Sequence, residues 1–118
     1  MIKPPIELRN GYKDRIHLGK VATFGCVACN QLKPYDRPKN RGRLEIHHKT
    51  GCGIGKKASD LLTIGLCSAH HTKGGRGVAL HDGIELFEER FGTQQDLILA
   101  IHEKLGIEIY KNYLQNNF

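Results

Sequence analysis

Two short cysteine spacings constrain this chain more than any other feature. Cys26-Val27-Ala28-Cys29 is one knuckle, and Cys67-Ser68-Ala69-His70 is a second about forty residues later. Tetrahedral zinc favours two such pairs brought together in space, because each spans one tight turn and aims both ligands at a single point. A chain of 118 residues can bury only a modest core, so a structural ion held by Cys26, Cys29, Cys67 and His70 would add stability that packing cannot supply. The competing reading of Cys67 is a small buried apolar residue at the end of a strand. Cys52, in Gly-Cys-Gly, has no partner at knuckle spacing and reads as a free thiol. The N-terminus carries no apolar signal core and no stretch has the length of a membrane span, so the expected compartment is the cytoplasm. There, clustered cysteines point to metal before disulfides.

The first eleven residues, with Pro4, Pro5 and Gly11, read as a loose arm. Residues 12–23 place Ile16, Val21 and Ala22 among charges and predict a short helix. Residues 33–43 are polar, basic and rich in turn formers, an exposed loop. Leu44-Glu45-Ile46-His47-His48 alternates apolar and polar residues and predicts a half-buried strand whose Leu44 and Ile46 face inward. Residues 61–67 form a second, partly β-branched run that can return antiparallel, across a loop too long for a tight hairpin. Residues 67–75 begin a helical turn closed by Gly74 and Gly75. Asp82 is placed to cap a helix carrying Ile84, Phe87 and Phe91, with Glu85 completing a capping box and Gly92 as the stop. Thr93 opens another helix with Asp96 in its first turn, a stripe of Leu97, Ile98, Ala100, Ile101 and Leu105, and Gly106 as terminator. The tail is a last short helix or strand.

Histidine is the unusual element. His47-His48 and His70-His71 are adjacent pairs flanking a basic glycine loop. A divalent ion acting on a phosphodiester needs two or three protein ligands and open positions for phosphate oxygens. A separate neutral histidine can act as general base on water. Because successive strand side chains point to opposite faces, two histidines at a strand end can divide these roles. The glycine loop itself is no Walker loop, since its spacing is wrong and no Ser or Thr follows Lys56.

The order Cys-x-x-Cys, strand ending in His-His, Gly-rich loop, polar residue, second strand, Leu-Cys-x-x-His-His resembles the HNH nuclease superfamily with its ββα-metal core. The run from His47 to Gly92 is most similar to the phage recombination-enhancement branch, and the resemblance covers roughly residues 20–105. It implies His48 as general base, His47 and His71 as ligands of a catalytic divalent metal (Mg²⁺, Mn²⁺ or Zn²⁺), and the four knuckle residues as a bracing zinc site. The middle Asn of the motif is missing. Asp60 is the nearest polar residue, able either to orient the base or to ligate the metal. His81 lies outside the minimal motif and is an extra ligand, a phosphate contact or an ordinary helix-start residue. The branch also implies a role in recombination inside a bacterial host cell, alongside a RecA-type recombinase filament.

Charge agrees with a polyanionic partner. Residues 1–80 hold 15 Lys/Arg against 5 Asp/Glu, residues 81–118 hold 3 against 7, and the whole carries +6. Arg41, Arg43, Lys49, Lys56, Lys57, Lys73 and Arg76 are the expected DNA contacts, holding phosphates with little sequence preference. The expected architecture is one α+β domain. It comprises an arm over 1–11, a zinc-braced ββα-metal core over 12–80 and a helical part over 81–118. The expected activity is metal-dependent hydrolysis of DNA, the alternative being a non-catalytic zinc-stabilised module that binds DNA or a recombinase.

Overall fold

A computed structural model describes residues 3–117. The first helix, α1 (Arg15–Thr23), starts where the Asp14 side chain accepts the His17 N–H at 3.0 Å, a cap worth about 1 kcal/mol. Its buried positions are His17 and Val21, one turn apart, while Ile16 remains exposed. Two strands follow: β1 (Leu44–His48) and β2 (Thr63–Cys67), paired antiparallel with Leu44 opposite Cys67 and His48 opposite Thr63. Every β2 residue is buried, because α1 packs on the sheet from one side and α3 (Gln94–Lys104) against β2. In the chain α2 (Ile84–Phe91) precedes α3, and α4 (Lys111–Asn117) packs on α3. The core runs through Val21, Ile64, Leu66, Leu80, Phe87, Ile98, Ile101 and Leu114. Among the described residues no helix is long and apolar enough to cross a membrane.

β2 approaches the first knuckle closely. The Val27 N–H donates to Gly65 O at 2.9 Å, and a Cβ on Gly65 would stand 2.5 Å from Gly25 O. Only glycine permits that approach, which brings Cys26 and Cys29 to the strand that ends in Cys67. After β2 the chain makes one π-turn, Ala69–Lys73, closed by Gly74. Wide single turns of this kind recur at functional sites because they re-aim side chains.

Several sequence expectations need correction. The described part of the N-terminal arm is not loose: Leu8 is buried, the Gly11 N–H donates to Lys57 O, and the Ser59 hydroxyl donates to Glu7 O. Residues 1–2 of that arm, and residue 118 of the tail, lie outside the described residues. Asp82 does not cap α2. It closes a 3-10 turn over Leu80–Asp82, and Gly83 takes the cap position with no side-chain cap hydrogen bond. The second helix start is as expected, with Thr93 and Asp96 in a reciprocal capping box, but Ala100 points to solvent. The faces of β1 are only partly as expected: Ile46 is half-buried against the core, but Leu44 is 37% exposed and His47, on the face it shares with Glu45, is 3% exposed. Strand alternation survives intact and places the two histidines on opposite faces.

Candidate metal centres

The four knuckle residues converge. Cys26 Sγ, Cys29 Sγ and Cys67 Sγ lie 3.5, 3.5 and 3.3 Å from His70 Nδ1, and Cys29 Sγ lies 3.8 Å from Cys67 Sγ. Zinc–sulfur and zinc–nitrogen bonds of roughly 2.3 and 2.0–2.1 Å give tetrahedral edges of about 3.8 Å between sulfurs and 3.6 Å between sulfur and nitrogen. The observed edges match. All four residues are buried. Burial and the neighbouring Cys26 push the Cys29 thiol up to about 12, and burial, with Arg90 and Arg41 nearby, lowers His70 to about 4. Thiols bind zinc as thiolates and release their protons to do so, and with these distances the cluster is a buried Cys3His set suited to structural zinc. The reading of Cys67 as a mere apolar filler is thereby set aside. Cys52 stands apart, donating its thiol to Lys56 O inside the glycine loop.

His47, His71 and His81 form the second cluster. His47 Nδ1 lies 3.2 Å from His71 Nε2, which lies 3.1 Å from His81 Nε2. Nitrogens bound about 2.1 Å from one ion stand roughly 3.0 Å apart in octahedral and 3.4 Å apart in tetrahedral geometry, so both suit this spacing. The three side chains come from β1, from the π-turn and from the 3-10 turn Leu80–Asp82. The turn Ala69–Lys73 thus aims His70 into one cluster and His71 into the other. Burial is graded: His47 is buried, His71 half-buried, His81 exposed. Burial lowers His47 to about 4 despite the bond to Gln94, and burial and His71 also lower His81. A protein-bound ion here would keep a solvent-facing side. Of the three readings of His81, the geometry places it with the other two imidazoles.

His48 occupies the opposite face. Its Nε2 lies 2.7 Å from Asp60 Oδ1, and the second oxygen of Asp60 accepts the Asp14 N–H at 2.8 Å. Burial raises the Asp60 carboxyl, but the bonds from His48 and from Asp14 outweigh it and the net shift is downward. Asp60 therefore orients His48 and is not a member of the histidine cluster.

Sequence reasoning missed four residues around these groups. Asp14 was hidden because capping and carboxylate positioning both depend on long-range folding. Glu45 accepts from His71 Nδ1 at 2.8 Å and from Ser68 Oγ at 3.0 Å; its place two residues from His47 was a usable signal. Gln94 contacts His47 Nε2 at 2.9 Å, and nothing in the sequence separates it from a solvated helix-start residue. Thr50 braces Gln94.

The expected DNA contacts Arg41, Arg43, Lys56, Lys57, Lys73 and Arg76 are exposed, and Lys49 is partly buried. Arg41 lies near the Cys3His cluster, where it depresses His70, and Lys57 lies near Asp60.

No family model matches this chain, and no solved structure matches it. The chain is 33% identical over 84 residues to YdfU, an uncharacterised protein of Escherichia coli strain K12. That match takes in 71% of this chain but 20% of YdfU, so the chain spans about a fifth of its relative's length.

Proposed function

We propose that this chain is a metal-dependent DNA endonuclease of the HNH type, with β1, β2 and the π-turn forming its ββα-metal core. The observation that carries this reading is the division of labour at the end of β1: His47 joins two other imidazoles while His48 is held by a carboxylate on the opposite face. His47, His71 and His81 would hold a divalent cation, which would supply Lewis-acid stabilisation of charge on the scissile phosphate and the leaving 3′ oxygen. His48 does the proton work. With Nε2–H donated to Asp60, its Nδ1 carries the lone pair that takes a proton from water as the oxygen attacks phosphorus. The imidazolium that forms is stabilised by the same carboxylate. The exposed Lys56, Lys57, Lys73 and Arg76 hold the phosphate backbone without reading bases. Resemblance alone supports the recombination setting and a recombinase filament as partner.

A plasmid-nicking assay with Mg²⁺ or Mn²⁺, with and without a RecA-type filament, tests this reading. Wild type nicks, and His48→Ala loses about 10²- to 10⁴-fold, the usual contribution of a general base. If both proteins bind DNA and neither nicks it under any of these conditions, the chain is a zinc-stabilised binding module and the nuclease reading falls.

A further inference from the structure

We infer that Glu45 and Gln94 are positioning residues that fix the tautomers of His71 and His47, leaving both imidazoles with bare ring nitrogens aimed at one point. The inference rests on the metal-site part of the preceding proposal and adds the residues that determine how well the site binds.

Gln94 Oε1 accepts the Thr50 N–H at 3.0 Å, and Gln94 Nε2 donates to Thr50 Oγ1 at 2.8 Å, so the two ends of this buried amide cannot be exchanged. The atom facing His47 Nε2 is therefore an oxygen, and His47 must carry its proton on Nε2. Glu45 is an acceptor with no proton to give, so His71 must carry its proton on Nδ1. In the neutral form, the one that ligates a metal, each imidazole has one proton. Each ring has placed it outward, and the atoms left facing each other, His47 Nδ1 and His71 Nε2, are lone pairs 3.2 Å apart. His81 can offer a proton to His71 through its Nε2, but it cannot relieve the His47–His71 pair. A cation between them does. Ser68 ties the arrangement to the closed cluster: its hydroxyl lies 3.0 Å from Glu45 Oε2, and the residue sits between Cys67 and His70. Outer partners of metal-bound histidine commonly change metal affinity by about 10- to 100-fold.

The test uses zinc-loaded full-length protein titrated with Co²⁺ in the absence of DNA, following heat and the visible ligand-field bands. Glu45→Ala and Gln94→Met each weaken Co²⁺ binding by about 10- to 100-fold and alter the bands. Gln94→Glu keeps an acceptor for His47 and binds within a few-fold of the parent. Zinc content and melting temperature stay near those of the parent in all three. Glu45 lies on a half-exposed face of β1, so Glu45→Ala carries the test even where Gln94→Met fails to fold. Parental Co²⁺ affinity in Glu45→Ala overturns the inference, as does equal loss in Gln94→Glu and Gln94→Met, which would make Gln94 a packing residue. A parent that binds Co²⁺ with the expected dependence but never nicks DNA leaves this inference standing and removes the nuclease reading.

Discussion

One π-turn serves two clusters of opposite character. His70 closes a set of four donors, all buried, with three sulfurs. Its neighbour His71 enters a set of three nitrogens that ends at an exposed residue. A closed, sulfur-rich tetrahedron leaves no place for substrate and can only hold the chain together. A three-nitrogen set with a solvent-facing side leaves coordination positions open, which is what chemistry on a phosphate requires. Consecutive residues of one turn thus enter a closed donor set and an open one. The largest expected effects follow from the support side. Cys67→Ser, or removal of zinc by a strong chelator, should abolish the cooperative thermal transition, since structural zinc in small domains carries on the order of 10 kcal/mol of folding free energy. Circular dichroism melts check this, and an unchanged melting temperature in Cys67→Ser would mean that the buried core alone holds the fold.

The open centre should respond in the reverse manner. His71→Ala should leave one zinc per chain and shift the melting temperature by only a few degrees. It should also remove high-affinity binding of a second divalent ion and, with it, the nicking activity proposed above. Calorimetric titration of zinc-loaded protein checks the stoichiometry. If His71→Ala instead loses the zinc, the two centres are not separable and the contrast between them fails.

How much of this was legible in the chain follows from interaction range. The strand bounds 44–48, the knuckles and the Thr93 cap all rest on local spacing, and the structure reproduces them. Asp82 went wrong locally, because Leu80 is buried and draws Leu80–Asp82 into its own turn, leaving Gly83 to start α2. The faces of β1 went partly wrong for a more instructive reason. Hydrophobic alternation assigns Leu44 and Ile46 to the interior, and Ile46 does pack on the core, but Leu44 is exposed while polar His47 is buried where it meets His71 and Gln94. Gln94 was invisible since its job is defined by a partner 47 positions away. Residues whose role is to satisfy other side chains carry no spacing signature of their own.

A third group of imidazoles shows what burial does without a converging cluster. His17 and His102 are both buried with rings 5.7 Å apart. His102 Nε2 donates to Leu61 O, while His17 Nε2 and His102 Nδ1 have no hydrogen-bond partner among the described residues. Burial is the main cause lowering both; for His17 the nearby His102 and Lys20 lower it further and Asp14 and Asp60 partly offset this, and for His102 the bond to Leu61 O partly offsets it. The folded state therefore holds these rings neutral below the ordinary value of 6.5 while the unfolded chain takes up protons. Stability is full above pH 6.5 and falls as pH drops toward the folded values. His102→Gln, which keeps a donor for Leu61 O, should melt less steeply with falling pH between 6.5 and 5 than wild type. The zinc-site histidine contributes an acid slope of the same sign to both proteins, so the difference between them reports the pair. Parallel slopes would show that His102 does not titrate with folding.

The smallest expected effect concerns the charges outside each centre. Lys56 and Lys57 are exposed in the glycine loop, and Lys57 acts on Asp60, the partner of His48. Arg90 lies instead beside His70 of the closed cluster. If the open centre is where the DNA backbone passes, neutralising the loop lysines should lose phosphate contacts and Arg90→Ala should not. The double substitution Lys56→Ala/Lys57→Ala should flatten the slope of log affinity against log salt by up to about 1.8, because each lost phosphate contact removes about 0.9. The shift should be alike for unrelated DNA sequences, since these contacts position and do not specify. Arg90→Ala should leave the slope near that of wild type. An equal change in both variants would place the DNA across the closed centre as well. A change in neither would detach the glycine loop from DNA binding while leaving both metal clusters as described.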